Sequence, residues 1–212
     1  MLNDREPHSA AMNMAIDETL LRTATQPILR FYGWRQPALS FGYFGRFADV
    51  ATEAPARELV RRWTGGGIVL HGEDVTYSVI LPRGRAENIP LPQTVYQMIH
   101  GAIQKTLAAH FDISLADKAA AKISGDCFAN AVTADVLVRG RKIAGAAQRR
   151  TRAGLLHQGS IQYEKLPAAF PYAFATALCA DFSTLTLDPD FIRQAQALAG
   201  QKYGTPEWLR RR

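Results

Sequence analysis

Three consecutive glycines, Gly65, Gly66 and Gly67, constrain the fold of this chain more than any other feature of its sequence. None of them has a Cβ, so the backbone can turn sharply there and can lie flat against a ligand. Two arginines and a tryptophan precede the triplet, and Ile68-Val69-Leu70-His71 follows it. The β-branched and aromatic neighbours predict a strand on either side of a glycine turn. Guanidinium groups beside such a turn suit a carboxylate, a phosphate or an acyl group, whereas a bare hairpin turn is the alternative.

The length and composition indicate one globular domain. The chain has 212 residues, and 47% of them are hydrophobic, which is enough for a core. We find no apolar run of signal-peptide or membrane-spanning length, so we expect a cytoplasmic protein. The two cysteines, Cys127 and Cys179, do not require a disulfide there. The net charge of +6 suits an acidic partner protein or nucleic acid, or is simply a solubilising surface charge.

Hydrophobic periodicity predicts a mixed, largely antiparallel sheet flanked by helices, which is an α/β (α+β) fold. The clearest helix has Val95, Ile99, Ile103 and Leu107 four residues apart. The predicted elements are a helix from Ser9 to Thr25, strands at Ile28–Trp34 and Ala38–Tyr43, a short helix at Ala48–Glu58, a strand at Val75–Leu81, a helix from Gln93 to Phe111, a hairpin of Asp135–Val138 and Arg141–Ala144, a strand at Leu155–Ile161, and helices after Pro167 and near Phe191–Ala199.

A second feature is a predicted strand of unusually small residues, Ala144, Gly145, Ala146 and Ala147. Alternation along the strand puts Lys142, Ala144 and Ala146 on one face and the other two on the opposite face. Small residues on both faces leave a volume that either a ligand or a bulky helix fills. At the edge of that volume, Lys142 would be a point charge for a carbonyl or phosphate oxygen, unless it is solvated like most lysines.

Cys127 lies in a predicted loop before this hairpin and is the candidate nucleophile. A thiol needs a lowered pKa for that role, which Lys142 or a histidine could supply, whereas a lone cysteine is more often a small buried apolar residue. We assign Cys179 to that second class. His71 and His157 are either a pair of catalytic bases or two hydrogen-bonded structural histidines. No residue cluster has metal-ligand spacing, so we expect no metal.

Taken together, the motifs resemble the biotin/lipoate protein ligase superfamily, and specifically its branch of lipoate–protein ligases and cysteine-dependent octanoyltransferases. The matching blocks follow the family order over nearly the whole chain: Asn13–Glu18, Arg30–Trp34 with Leu39–Gly42, Arg61–His71, Gly140–Arg149, His157–Ile161 and Lys202–Trp208. The resemblance implies a mixed sheet flanked by helices. It also implies acyl transfer to one lysine of a lipoyl domain or of glycine-cleavage H protein.

The resemblance further implies roles for single residues. Lys142 would bind the reacting carbonyl or phosphate, and Gly145 and Ala147 would leave room for the acyl chain. In an octanoyltransferase, Cys127 would carry the acyl group as a thioester. The residues that would line or border the acyl or acyl-adenylate pocket are Arg62, Thr64, Gly65, Gly66, Gly67 and His71.

Two activities of this branch remain open. A cysteine octanoyltransferase takes its acyl group from acyl carrier protein without a cofactor, whereas a ligase makes an acyl-adenylate and needs ATP and Mg²⁺. The ligases usually have an asparagine–aspartate pair before the lysine strand, but Ala134 precedes Asp135 here. The chain also stops soon after Trp208, which leaves no room for an accessory C-terminal domain.

We therefore expect residues 1–212 to form a single octanoyltransferase-type catalytic domain, with the ATP-dependent ligase as the alternative. A basic nucleic-acid-binding module is a third possibility. It lacks the exposed aromatic residues that single-strand binders place between their basic residues. We expect neither nucleic acid nor a membrane as a partner.

Overall fold

The computed structural model describes residues 1–84, 89–119, 131–163 and 166–211. The strands of this part of the chain are β1 (Leu2–His8), β2 (Ile28–Trp34), β3 (Ala38–Phe41), β4 (Glu58–Arg61), β5 (Ile68–His71), β6 (Val75–Pro82), β7 (Ile113–Leu115), β8 (Val136–Val138), β9 (Arg141–Arg150) and β10 (Gly154–Ile161). Its α-helices are α1 (Ala10–Thr23), α2 (Pro92–Leu107), α3 (Phe170–Leu178), α4 (Pro189–Leu198) and α5 (Pro206–Arg210).

The described strands form a large and a small sheet. The large sheet has the order β1-β2-β6-β10-β9-β8-β7, in which β1 and β2 are parallel and the other neighbours are antiparallel. The small sheet has the order β4-β3-β5, with β4 parallel and β5 antiparallel to β3. The predicted mixed, largely antiparallel sheet with flanking helices is confirmed.

Helix α1 covers one face of the large sheet. It begins after Ser9, whose hydroxyl accepts a hydrogen bond from the backbone N–H of Met12, as N-cap residues do. Its apolar side chains pack with Ile80 of β6 and Leu156 of β10, and with residues of α4. The helix is therefore buried on most sides, and the prediction of a helix from Ser9 to Thr25 is confirmed apart from its ends.

Helices α2 and α3 cover the opposite face. The four apolar residues that predicted α2 are all buried there, next to Tyr77 of β6 and to Phe170 and Phe174 of α3. Helix α2 ends at Leu107 rather than at Phe111, and the chain then forms a turn in which the backbone N–H of His110 donates to the Leu107 carbonyl at 2.9 Å. None of the helices in the described ranges is both long and apolar enough to cross a bilayer.

The glycine turn does not join two paired strands. The strands on either side of it, β4 and β5, lie on opposite edges of β3, so the turn passes across the end of that strand. Gly42 follows β3 directly, and a Cβ on it would overlap the carbonyl oxygen of Gly66. Gly66 itself has a φ of 86°, which favours glycine. The bare-hairpin alternative is therefore wrong, because β3 is inserted between the two strands.

The short helix predicted at Ala48–Glu58 is also wrong. The structure has two 3₁₀ turns there, Phe47–Asp49 and Ala51–Glu53, before β4 begins. Pro55 lacks the backbone N–H that a continuing helix needs, and its ring crowds the preceding turn.

We expect Gly42→Ala to destabilise the fold. The added methyl group would overlap backbone atoms of Gly65 and Gly66, which cannot move aside like a flexible side chain. Overpacking of this kind costs about 1–3 kcal/mol or more. Urea unfolding followed by tryptophan fluorescence measures this loss.

Gly101→Ala in α2 is the matched control. A Cβ on Gly101 would meet nothing within 4 Å, and alanine is the better helix former by about 1 kcal/mol. This variant should be as stable as the wild type or more so. Equal stabilities of the Gly42 and Gly101 variants would contradict the close approach of Gly42 to the glycine turn.

Candidate functional site

A pocket that is partly open to solvent lies between the two sheets. Both sheets, helix α1 and the residue after β4 contribute to it. The residues that line the pocket are Met14, Tyr32, Trp34, Ser40, Arg62, Val69, His71, Thr76, Gly145, Ala146, Ala147, Gln158, Gly159 and Ser160. Apolar and aromatic side chains with a few converging polar groups are typical of small-molecule sites.

Small residues on two paired strands make room for the pocket. In the register of β9 and β10, Gly145 lies opposite Ser160 and Ala146 lies opposite Gly159. All four residues line the pocket, as does Ala147. Open space beside Gly145 and Ala147 is therefore present, and its occupation by a ligand stays a prediction. A Cβ on Gly159 would overlap the Tyr77 ring, so this glycine also accommodates a core side chain.

Lys142 is buried and paired. Its Nζ atom lies 2.7 Å from Oδ2 of Asp135, and the two side chains are 5% and 0% exposed. Asp135 also accepts hydrogen bonds from the Tyr96 hydroxyl at 2.5 Å and from the backbone N–H of Val132 at 2.7 Å. A buried ion pair persists only with such additional bonds. The solvated-lysine alternative is therefore wrong.

A β-bulge places Lys142 against Gly145. Leu137 pairs with Lys142 and Val136 with Ala144, so Ile143 is an extra residue in β9. A Cβ on Gly145 would lie 2.7 Å from Cε and 2.9 Å from Nζ of Lys142. The prediction of opposite faces for these two residues is wrong, because alternation does not continue through a bulge. The bulge brings the ammonium group beside a residue that lines the pocket.

The two arginines before the glycine turn have different surroundings. Arg62 lines the pocket, and its Nη2 atom donates to the carbonyls of Gly65 and Gly67 at 3.0 and 2.8 Å. Arg61 instead donates to the backbone carbonyls of Leu209 and Arg211 at the end of α5, where a cation is favoured. Of this pair, the pocket therefore uses Arg62.

Thr64 is not among the residues that line the pocket, but it is hydrogen-bonded to one of them. Its hydroxyl donates to the Gln158 side chain at 2.8 Å, and Gln158 lines the pocket. The Gln158 amide donates in turn to Asp17 of α1 at 2.8 Å. Gln158 is a polar pocket residue that the sequence reasoning missed, since only its place in the His157–Ile161 block marked it.

His71 lies in the pocket wall beneath the Trp34 ring, with 4.0 Å between the ring centroids. Its Nδ1 atom lies 2.8 Å from Asp74, and its Nε2 atom lies 2.6 Å from the hydroxyl of Ser40. Burial lowers its pKa, against the opposing effect of Asp74. The sequence reasoning missed Asp74, because a lone aspartate in a turn has no local signal.

His157 is fully buried and lies in a cluster with the buried Tyr77 and His100 and the partly buried Tyr96. Burial lowers the pKa of His157 far below its ordinary value and that of His100 to about 4. The His157 side chain is hydrogen-bonded to Gln148 at 3.1 Å. These surroundings favour the structural alternative for His157 over a catalytic pair with His71.

Of the two cysteines, only Cys179 lies within the described residues. Cys127 lies outside the described residues, so its nucleophilic role stays a prediction. Cys179 is exposed, and the expectation of a buried apolar residue is wrong. The reason is its position as the C-cap of α3, one residue beyond the helix whose inner face is buried. Within the described ranges, no group of three or more His, Cys, Asp or Glu side chains is arranged to hold a metal ion.

The buried histidines predict a loss of stability in mild acid. A histidine with a lowered pKa stays neutral in the folded state, while the unfolded chain takes up a proton below a pH of about 6.5. Stability is therefore fully present above that pH. It falls as the pH drops toward 4, by about 1.4 kcal/mol per pH unit for each histidine still neutral. Urea unfolding at several pH values between 7.5 and 4.5 measures this slope.

His100→Gln should reduce the slope of stability against pH by about 1.4 kcal/mol per pH unit, which is the contribution of one proton. The reason is that it removes a group that only the unfolded chain protonates. His110→Gln, at an exposed residue, is the control and should leave the slope unchanged. The slopes are compared rather than the absolute stabilities, since any buried substitution has its own cost. An unchanged slope in His100→Gln would contradict the neutral buried histidine.

Comparison with known proteins finds one catalytic-domain family and several octanoyltransferases among the similar proteins. The family model of the lipoyl protein ligase A/B catalytic domain matches residues 9–177. Octanoyltransferase LipM of Kyrpidia tusciae is 39% identical over 76% of this chain and 65% of its own length. Octanoyltransferase LipM of Oceanobacillus iheyensis is 34% identical over 74% of this chain and 62% of its own length. The matches thus span less than two thirds of these relatives.

Solved structures show the same fold. A T. acidophilum protein assigned as a lipoate protein ligase, with bound lipoic acid, has a TM-score of 0.79 and 20% identity, covering 98% of this chain and 96% of that one. Lipoate-protein ligase A bound with ATP has a TM-score of 0.76 and 21% identity, covering 98% and 97% of the two chains. At such identities the likeness is one of fold.

Proposed function

Because this chain belongs to the lipoyl protein ligase A/B catalytic-domain family, we propose that it transfers an octanoyl group to a lysine of a lipoyl domain or of glycine-cleavage H protein. The observation that carries the proposal is the apolar pocket between the sheets, with the Lys142–Asp135 pair beside its small-residue strand. The choice of octanoyl transfer is supported by the LipM octanoyltransferases, which are 34–39% identical to this chain.

The proposed reaction proceeds in two acyl transfers. The Cys127 thiolate attacks the thioester carbonyl of octanoyl-acyl carrier protein, and the carrier leaves as its thiolate when the Cys127 thioester forms. The amine of the acceptor lysine then attacks that thioester, which gives the amide and regenerates the thiol after loss of a proton. Each step passes through an oxyanion, and the ammonium group of Lys142 is the proposed stabilising charge.

The pocket would hold the octanoyl chain. Met14, Val69 and Trp34 supply apolar surface, while Gly145 and Ala147 leave the space beside them. Burial of an acyl chain contributes about 0.8 kcal/mol per methylene. Arg62 and His71 belong to the polar part of the wall, and Thr64 and the glycine triplet would hold that wall in place through Gln158 and Arg62.

The energy for both transfers is already present in the donor thioester. The proposal therefore needs no ATP or Mg²⁺, and it treats residues 1–212 as one catalytic domain that works in the cytoplasm. A net charge of +6 would speed encounter with acidic donor and acceptor domains.

Incubation with octanoyl-acyl carrier protein, followed by intact-mass measurement, tests the covalent step. The wild-type chain should gain the mass of one octanoyl group, and Cys127→Ala should gain none, because the acceptor thiol is absent. Cys179→Ala removes the other cysteine and should still be acylated. Acylation that persists in Cys127→Ala, or that fails in the wild type, would refute the thioester mechanism.

The same variants separate the transferase from the ligase. Modification of a lipoyl domain that requires lipoate and ATP, and that Cys127→Ala leaves unchanged, would replace our proposal with an adenylate mechanism. Modification from octanoyl-acyl carrier protein without ATP supports the transferase.

Lys142→Met should slow formation of the Cys127 thioester by about 10²–10³-fold, the usual effect of removing one oxyanion-stabilising donor. Lys105→Met, at an exposed residue of α2, should leave the rate unchanged. Stopped reactions analysed by intact mass give both rates, and circular dichroism checks the fold. A Lys142→Met rate equal to that of the wild type would exclude this residue from the oxyanion site.

A further inference from the structure

Asp74 lies in the turn between β5 and β6 and joins three strands. Its carboxylate accepts hydrogen bonds from His71 of β5 at 2.8 Å, Thr76 of β6 at 2.8 Å and Ser160 of β10 at 2.6 Å. The backbone N–H of Gly72 is a fourth donor, at 3.2 Å. His71, Thr76 and Ser160 all line the pocket. One carboxylate, 2% exposed, therefore organises much of the polar wall.

The hydrogen bonds on the other side of His71 have defined directions. Arg62 has only donors, so Ser40 Oγ accepts the hydrogen bond from Arg62 Nη1 at 2.7 Å. An ionised carboxylate has only acceptor atoms, so Nδ1 of His71 donates its hydrogen to Asp74. In a neutral ring Nε2 is then unprotonated, and it accepts the hydrogen bond of the Ser40 hydroxyl, 2.6 Å away.

The same chain of bonds ends on the glycine turn. Through Nη2, Arg62 donates to the carbonyls of Gly65 and Gly67, on either side of the left-handed Gly66. A change in the direction of the Ser40 hydroxyl would leave Arg62 with a poorer acceptor. The shape of the glycine turn and of the pocket wall therefore depends on the Nδ1 proton of His71, which is linked to the turn through Ser40 and Arg62.

We propose that Asp74 is a positioning residue that selects the Nδ1–H form of His71 and, through Ser40, holds Arg62 and the glycine turn in the shape that binds the acyl group. Only the expected effect on activity rests on the proposed octanoyl transfer. The same logic applies to any histidine whose second nitrogen is oriented by a carboxylate.

The charges around His71 agree with a neutral ring. Asp74 faces it from the following turn and Arg62 from the end of β4, while Arg57 donates to its backbone carbonyl at 3.4 Å. Burial, helped by the two arginines, lowers the pKa of His71, and the hydrogen bond to Asp74 opposes this. Although burial opposes ionisation of Asp74, the bonds from His71, Ser160 and Thr76 hold its pKa below the ordinary value.

Nitrogen NMR of the imidazole rings in the full chain tests the proton arrangement without any substrate. Wild-type His71, assigned by comparison with His71→Gln, should be the neutral Nδ1–H form at pH 7. In Asp74→Asn, the amide can donate to Nδ1, so the proton should move to Nε2 as the shape stays nearly constant. Asp49→Asn, at an exposed aspartate paired with Arg46, is the matched control and should leave the His71 signals unchanged.

Two NMR results would overturn the proposal. One is an imidazolium or an Nε2–H ring in the wild type, because either would reverse the Ser40–His71 bond. The other is an unchanged Nδ1–H ring in Asp74→Asn, because Asp74 would then not select the tautomer.

Steady-state kinetics of octanoyl transfer test the consequence for the site. Asp74→Asn should raise KM for the octanoyl donor by about tenfold or more while kcat stays within about threefold, because the altered wall binds the acyl group. A merely destabilised protein would lose active molecules and show a lower kcat at constant KM. That second pattern would overturn the positioning role.

Ser40→Ala keeps the test decisive if Asp74→Asn does not fold. It removes the hydroxyl that links His71 to Arg62 and leaves the Asp74 carboxylate in place. The KM for the octanoyl donor should therefore rise while His71 keeps its Nδ1 proton. The KM of the double variant should be no higher than that of the more affected single variant, since both substitutions interrupt the same series of hydrogen bonds. Additive effects, or an unchanged KM in Ser40→Ala, would contradict coupling through Ser40. If the wild type transfers no octanoyl group, the proposed function fails, but the NMR result still decides the His71 tautomer.

Discussion

The ion pair between Asp17 and Arg30 is the interaction on which the arrangement of this fold depends. Both side chains are fully buried, with 2.8 Å between the paired atoms, so neither charge is stable unless every neighbour is in place. Asp17 also accepts hydrogen bonds from Ser78 and Gln158, and Arg30 donates to Asn13. Helix α1 is thereby tied to β2, β6 and β10 at once. Through Gln158 and Thr64, the same network reaches the glycine turn and so links β10 of the large sheet to the turn that precedes β5 of the small sheet.

The pocket exists because small residues coincide with an irregular strand. An unbroken β9 would direct Lys142 and Gly145 to opposite faces, whereas the extra residue Ile143 brings the lysine chain over the glycine. The resulting ammonium group is buried against Asp135 and stands beside the pocket-lining residues. The missing Cβ of Gly145 therefore serves the lysine as well as the cavity, which explains why no larger residue is compatible with both.

Much of the fold was predictable from local patterns, and the pocket was predictable in part. The periodicity of α2 and the alternating strands correspond to elements of the structure, and Arg62, His71, Gly145 and Ala147 do line one pocket. The insertion of β3 between β4 and β5 was not predictable, because strand pairing is a contact between distant segments. The partners of Lys142 and the position of Asp74 depend on that same long-range packing, which no local spacing encodes.

The sequence by itself determined where side chains are small, where backbone freedom is needed, and which charged residues lie within apolar segments and so require partners. Those properties belong to single residues and their near neighbours. Only the tertiary structure decided which partner each charge has, that Arg61 holds the C-terminal helix while Arg62 holds the glycine turn, and that the His71 ring lies between Asp74 and Ser40. The physical reason is that a hydrogen bond has a direction and a short range. Its partners are therefore known only when distant strands have been brought together.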